Sequence, residues 1–280
     1  MRSLALADAW PADRVAVAAC TAAGAAGRHG ETGHRFAWAS VSKPVSALAV
    51  LVACEEGAVG LDDTVGPPGS TLAHLLAHAS GLSPDDPSVT LAHPAARRIY
   101  SNAGIELAAA HVEAATGIRF ADYLDEAVLT PLGMTTARLA GSPAHGMEGG
   151  LDDLCAVVGE CFAPRLVHPD TLARATTVAF PGLAGVLPGF GRQDPCDFGL
   201  GFEVKGAKQP HWTGTACSPT TFGHFGQSGS FFWVDPAAGV AAAGLADRPF
   251  GPWAAVAWPE LADAVLAELA TGGDPPPAAL

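Results

Sequence analysis

The sequence predicts an α+β protein, with one antiparallel sheet built from both ends of the chain, flanking helices and an inserted helical lobe. Three observations lead there. Strand-length runs separated by Gly or Pro turns gather near the two ends, and helix-length apolar stretches fill the middle. The chain has 280 residues and 49% hydrophobic content, enough for a sizeable core.

Taken in order, Val15 to Cys20 is a β-branched and alanine run. With the Gly-rich turn from Gly24 to Gly30 and the stretch from Arg35 to Trp38, it predicts an N-terminal hairpin. Ser40 precedes an apolar stretch from Val41 to Cys54 that ends at Glu55-Glu56-Gly57. Its length and closing Gly predict a helix, and Pro44 is tolerable because it lies in the first turn. Ser70-Thr71 opens a short helix from Leu72 to Ala79, closed by Ser80-Gly81, and further helices fit Asn102 to Thr116, Phe120 to Val128 and Leu151 to Phe162. Thr177 to Pro195 is rich in Gly and Pro and reads as loop. Strands are expected at Phe198 to Lys205, Thr221 to Gly226, Ser230 to Asp235 and Gly239 to Ala246, followed by a last helix from Trp253 to Ala270. The reading is a single domain over residues 1–270. Its sheet comes from about residues 10–40 and 198–270 and its helical lobe from about 41–197, and residues 271–280 form a frayed Gly/Pro-rich tail.

Charge narrows the function. The 28 acidic and 15 basic side chains leave a net charge of -13, and no Lys/Arg cluster offsets it. Phosphates are repelled, so neither nucleic acid nor an anionic membrane surface is an expected partner. No uncharged run is long and unbroken enough to span a membrane, and Met1 to Trp10 meets Asp8 and Pro11 before a signal-peptide apolar stretch forms. The six cysteines contain no C-x-x-C pair and read as buried free thiols. A cytoplasmic location is the expectation.

Lysine is scarce, at Lys43, Lys205 and Lys208 only, whereas Arg supplies the other twelve cations. A Lys kept in an apolar helix matters because Lys can lose its proton when buried, whereas Arg effectively cannot. Lys43 follows Ser40 by three residues, which on a helix turns both side chains into the same space. A Ser at a helix N-terminus also has free backbone N–H groups beside it, suited to an oxyanion. This is the geometry of a serine nucleophile activated by a lysine. An isolated S-x-x-K is frequent by chance, with Ser as an ordinary N-cap, so the pair needs corroboration. Tyr100-Ser101-Asn102 offers a phenol and an amide where a loop enters a helix. His224-Phe225-Gly226 offers a strand edge with a Gly that lets substrate approach, and the Gln227 N–H is placed to face that of Ser40.

These three segments resemble, in order and rough spacing, the motifs of the serine β-lactamase and penicillin-binding-protein superfamily. The likeness is to the branch of class C β-lactamases, D-amino-acid peptidases and lactamase-like esterases. The flanks TLAHLLAHASGL (Thr71 to Leu82), LDEAVLTPLGM (Leu124 to Met134) and FWVDPAAGVAAAGLADR (Phe232 to Arg248) are similar too, and the likeness covers roughly Arg14 to Leu269. The resemblance implies that Ser40 is the acylated nucleophile, that Lys43 and Tyr100 share the base role and that Asn102 helps to orient them. It further implies that His224, Phe225 and Gly226 line the substrate groove and that the backbone N–H groups of Ser40 and Gln227 form the oxyanion hole. No metal or cofactor is implied.

Two departures shape the expected substrate. Family members that bind β-lactams or peptide carboxylates usually carry Lys, then Ser or Thr, then Gly at the third motif. His224 replaces the permanent cation, and Phe225 replaces a hydroxyl donor with apolar bulk. The expectation is a serine hydrolase acting on a small-molecule ester or amide with a neutral or hydrophobic acyl group. β-Lactamase or D,D-peptidase activity, acyl transfer to an acceptor other than water, and a catalytically inactive binding homologue stay open, as does the oligomeric state. His74 and His78, spaced like a zinc pair, lack the glutamate of a metalloprotease helix and are read as packing residues. No G-x-S-x-G elbow occurs.

Overall fold

The computed structural model describes residues 1–271. After a 3-10 helix, Ser3–Ala9, the chain forms the hairpin of β1 (Val15–Thr21) and β2 (Gly24–Gly30). Gly24–Gly30, expected as the turn, is itself the second strand of the hairpin, and Arg35 to Trp38, expected as that strand, leaves the sheet. Only Phe36–Ala37 is strand (β3), and it pairs with Gly149 and Glu148 instead. With β4 (Arg138–Leu139) and β5 (Met147–Gly149) it makes a small second sheet of order β3-β5-β4. The stretch read as loop contains a hairpin of β6 (Gly185–Leu187) and β7 (Gly191–Gln193). From the C-terminal part come β8 (Glu203–Val204), β9 (Phe222–Gly226), β10 (Ser230–Asp235) and β11 (Val240–Ala246). They complete a six-stranded antiparallel sheet of order β2-β1-β11-β10-β9-β8. The α+β architecture with a sheet drawn from both chain ends is therefore present.

The helices are α1 (Ser42–Glu55), α2 (Leu72–Leu76), α3 (Asn102–Thr116), α4 (Phe120–Leu124), α5 (Thr130–Leu132), α6 (Leu151–Phe162), α7 (Pro169–Ala175) and α8 (Pro252–Thr271). α2 is shorter than expected because His78 takes a left-handed backbone, φ 56°, which no helix continues through. α4 runs on through a π-helical turn, Asp125–Leu129, into α5, which ends on Gly133 at φ 70°. α7 was not expected. Pro169 occupies its first turn, where a missing N–H is harmless, and His168 caps it. Of the tail expected to fray, Thr271 ends α8 and residues 272–280 lie outside the described residues.

The central strands of the sheet are buried on both faces, which explains why β1 and β11 read as near-continuous apolar runs. Ala16, Ala18, Ala241, Ala243 and Phe232 face the helical side, where α1 and α6 contribute Leu48, Leu51, Leu154 and Val158. Val17, Ala19, Ala242, Phe231 and Trp233 face the other way, onto Leu4 and the Trp258, Leu261 and Val265 stripe of α8. The alternation is the period-2 geometry of a strand. Among the described residues no helix is long and apolar enough to cross a membrane. All six cysteines are free thiols; Cys20 on β1 lies 3.9 Å from Cys155 on α6, sulfur to sulfur.

One buried ionic cluster braces the β8 edge. Glu203 is 1% exposed, its Oε1 lies 3.3 Å from Lys208 Nζ and 2.8 Å from His211 Nε2, and its Oε2 accepts from Trp212 Nε1 at 2.8 Å. Burial alone would raise this carboxyl, but Lys208 and His211 outweigh it and hold it down to about 2. Lys208 also donates to the carbonyls of Asp197 and Val204. Removing one partner of such a cluster strands a buried charge. Glu203→Gln should therefore lower the unfolding free energy by about 3–5 kcal/mol in urea titrations; a loss below about 1 kcal/mol would show that the cluster adds little.

Candidate active site

The site is built where the small sheet meets β9. Trp38 is fully buried, its indole N–H donates to Gly149 O at 3.1 Å, and its backbone N–H donates to Met147 O at 2.9 Å. Ala39 then adopts φ 44°, an uncommon conformation for a residue with a Cβ, and swings the chain into a 3-10 turn, Ala39–Val41. Ser42 fixes that turn: its Oγ donates to Ala39 O at 2.6 Å and accepts from Met147 N at 2.9 Å. Ser40 consequently sits just ahead of α1, at the positive end of the helix dipole, and is half-buried.

Lys43 lies one turn on and is fully buried. Its Nζ donates to Ser40 Oγ at 3.0 Å and to Ala144 O at 2.9 Å. Ala144 belongs to a tight loop clasped onto α1, in which Ser46 Oγ donates to Pro143 O at 2.7 Å. Burial drives the Lys43 pKa down to about 7, although the carboxylates of Asp85 and Glu106 work the other way. Near neutral pH a large fraction of this amine is unprotonated, with its lone pair available to Ser40.

Tyr100 comes from the segment leading into α3. Ser101 caps that helix, accepting from Gly104 N at 3.0 Å while donating to Ser83 O at 2.7 Å. Fully buried His78 holds the segment, accepting from Ser101 N at 3.2 Å and packing its ring 4.6 Å from the Tyr100 ring. Lys43 Nζ lies 4.6 Å from the Tyr100 ring centroid. Burial pushes the Tyr100 phenol well above its ordinary range, and a hydrogen bond with Ser40 only partly opposes this. Tyr100 is thus a phenol at rest, not a phenolate.

β9 closes the other side. Gly226 passes so near the Ser40 turn that an added Cβ would lie 2.3 Å from Trp38 O. His224 is 2% exposed; its Nδ1 faces Phe225 O at 2.7 Å, and its Nε2 lies 3.5 Å from Tyr100 Oη. A carbonyl can only accept, so Nδ1 carries the proton and Nε2 presents a lone pair to the phenol. Burial, reinforced by Lys43, lowers the His224 pKa to about 4, so the ring is neutral at pH 7. Phe225 is a core aromatic, with ring contacts to Phe190, Trp212, Phe250 and Trp258, and it also lines the Ser40 cavity. Trp212, 1% exposed, is wholly core. Gln227 is tied to Phe250 at both ends, its carbonyl accepting from Phe250 N at 2.9 Å and its side chain donating to Phe250 O at 3.2 Å. Ser40, Tyr100, Leu187, Pro188, Phe225 and Gln227 together line a cavity of about 50 Å³.

The structure therefore brings Ser40, Lys43, Tyr100 and His224 together, with Phe225, Gly226 and Gln227 around them. Asn102 departs from the expected role. Its Nδ2 donates to Asp85 Oδ1 at 2.7 Å, its Oδ1 is buried without a partner, and it makes no hydrogen bond to Lys43 or Tyr100. A carboxylate accepts but cannot donate, which fixes the orientation of the amide. Sequence reasoning missed the Ala144 carbonyl, the β6–β7 residues Leu187 and Pro188, and the part His78 plays beside Tyr100. The histidine pair does not converge: His74 caps α2 with Thr71 and stacks on Phe180, away from the Tyr100 contact of His78.

Comparison with known proteins identifies the family and the fold. A family model described as Beta-lactamase matches residues 2–267, and the chain belongs to that family. The crystal structure of a beta-lactamase from Mycobacterium bovis is 50% identical, covers 95% of this chain and 98% of its own, and superposes with a TM-score of 0.93. EstCE1, described as a hydrolase with promiscuous acyltransferase activity, shares the fold at 19% identity, with a TM-score of 0.76 over 95% of this chain and 97% of that one. Penicillin-binding protein 4* of Bacillus subtilis (strain 168) is 31% identical over 142 residues, covering 39% of this chain and 31% of that protein. The chain thus spans about a third of the length of that curated relative.

The depressed Lys43 pKa sets a pH dependence with a definite sign. Below about 7 the amine is an ammonium ion that cannot take the Ser40 proton; above it the amine is free. Labelling of Ser40 by a fluorophosphonate, followed by intact mass, should slow about tenfold per pH unit below 7 and level off above it. A rate that stays flat between pH 5 and 8 would remove Lys43 from the base role.

Proposed function

We propose that this member of the Beta-lactamase family is a serine hydrolase that forms an acyl-enzyme on Ser40 and cleaves small esters or amides with a neutral or hydrophobic acyl group. One observation carries the reading: the buried Lys43 amine, held near a pKa of 7, lies 3.0 Å from Ser40 Oγ. The unprotonated amine takes the Ser40 proton as Oγ bonds to the substrate carbonyl carbon. The carbonyl electron pair moves onto oxygen, and the N–H groups of Ser40 and Gln227 stabilise that oxyanion. Collapse breaks the bond to the leaving group, which takes its proton from Tyr100, and Tyr100 is reprotonated from the Lys43 ammonium. Water then repeats the sequence on the acyl-enzyme. Because burial keeps Tyr100 protonated, Lys43 is the base of the first step and Tyr100 the acid of the second. This division sharpens the shared base role that the motifs imply. His224, by accepting from Tyr100, orients the phenol.

The preference for a neutral acyl group follows from β9. Neutral His224 offers no cation, Phe225 offers no hydroxyl, and the cavity of about 50 Å³ beside Ser40 suits a short acyl chain. β-Lactam hydrolysis is the second reading, favoured by 50% identity to a protein described as a beta-lactamase. Acyl transfer shares the first half-reaction and differs only in the acceptor.

Two experiments separate these readings. Ser40→Ala should lower turnover of short-chain aryl esters by about three orders of magnitude or more and abolish the fluorophosphonate adduct; turnover near that of the wild type would sink the assignment. In kcat/KM, short-chain aryl esters should exceed chromogenic cephalosporins by at least about tenfold. Efficient cephalosporin hydrolysis would instead establish the β-lactamase reading.

A further inference from the structure

A second, larger pocket of about 410 Å³ adjoins the Ser40 cavity and shares two of its walls, Tyr100 and Pro188. The β6–β7 hairpin divides the two. Leu187 and Pro188 turn into the Ser40 cavity, while Val186 and Arg192 line the outer pocket. Val186 is 62% exposed there, and with Ile99 and Pro84 it gives the pocket an apolar wall without a protein partner.

The charge of this pocket is unlike that of the rest of the molecule. The chain carries -13 overall and has twelve arginines, yet Arg97, Arg98 and Arg192 all line this pocket and no acidic residue does. The three differ in what they have left to offer. Arg192 donates to Asp194 Oδ2 at 2.9 Å. Arg98 is 3% exposed and spends its guanidinium on the carbonyls of Cys196, Ala77, Ala179 and Phe180, at 2.6–3.1 Å. It forms no ion pair among the described residues, so a buried positive charge lies behind the pocket wall with the Asp197 carboxylate only at longer range. Arg97 is exposed and, among the described residues, has no carboxylate within ion-pair range and uses only Nη2, toward Leu91 O at 3.3 Å. The remaining guanidinium donors of Arg97 are uncommitted, in the planar fork that matches a carboxylate.

Position decides which part of a substrate would lie here. Under the mechanism proposed above, on which this inference rests, Tyr100 protonates the leaving group, so the leaving group departs on the Tyr100 side. Tyr100 is also a wall of the arginine-lined pocket. We infer that the pocket is a leaving-group subsite for an alcohol or amine with an apolar body and a distal carboxylate, and that Arg97 is its specificity-determining residue. The acyl group at Ser40 stays small and neutral, and the negative charge sits on the departing half.

Matched acetate esters test this. 4-Acetoxybenzoate and 4-acetoxybenzamide, with their 3-substituted isomers, share an acetyl group and a phenol leaving group and differ in the distal charge. The wild type should favour the carboxylate over the amide in kcat/KM by at least about tenfold for one of the two isomer pairs. Arg97→Gln should bring that ratio close to one, and Arg97→Lys should restore part of it. The change should fall on KM more than on kcat, because the contact lies away from the reacting bond. Amide turnover with no preference for the carboxylate in either pair overturns the subsite and leaves the hydrolase standing. So does a preference that survives Arg97→Gln. Failure to hydrolyse any of the four esters, together with no fluorophosphonate adduct on Ser40, overturns the hydrolase and the subsite together.

Discussion

A primary amine kept dry is the constraint on which the site depends. Lys43 has a surface-like charge and a core-like address, and a buried ammonium with few partners is costly enough that the side chain yields its proton near neutrality. Its two partners answer different needs. The Ala144 carbonyl accepts one N–H in either protonation state and fixes where Nζ lies, which leaves the remaining direction to Ser40 Oγ. The surrounding architecture serves that placement. The loop carrying Ala144 is clasped to α1 by Ser46, and Ser42 ties the nucleophile turn to the start of β5.

The sheet supplies rigidity from the opposite side. β9 can lie against the nucleophile turn only because Gly226 has no side chain. Behind it, Phe225 is locked among Trp212, Phe250 and Trp258, and Trp212 is anchored in turn by Glu203. The buried ionic cluster at β8 is therefore joined to the candidate site through Trp212 and Phe225, and also through Phe198, which lies between Lys208 and the Tyr100 and His224 rings. Ser230 Oγ adds a direct tie to Trp38 O at 2.6 Å. A site built on strand and helix ends in this way holds its groups more tightly than one built on free loops.

What the sequence made legible follows the range of the interactions. α3 and α6 lie where expected because local signals bound them: Ser101 caps α3, Gly117 ends it at φ 71°, and Gly150 precedes α6. Ser40 and Lys43 were readable because three residues of helix suffice to bring them together. The losses came wherever a distant contact decides. β3 is drawn out of the N-terminal hairpin by Gly149, more than a hundred residues away, and Phe198 to Lys205 contributes only two residues to the sheet. Asn102 turns to Asp85, a partner that no motif announces. The Ala144 carbonyl could not have been found at all, since every residue carries the same backbone group. His78 looked like packing and is packed, but against the catalytic candidate Tyr100.

The pairing of β1 with β11 has a consequence for how the protein is made. On the edge away from β2, residues 15–21 find their partner in residues 240–246, so β1 waits for a strand made more than two hundred residues later. At roughly 5–20 residues per second, that delay is on the order of tens of seconds. Throughout it a segment destined for burial on both faces, VAVAACT, is exposed outside the ribosome with nothing but β2 to pair with. Long-range pairing of this kind also slows folding after release. The Ser40 turn, wedged against β9 and β10, takes its final shape only once translation has reached the end of the sheet.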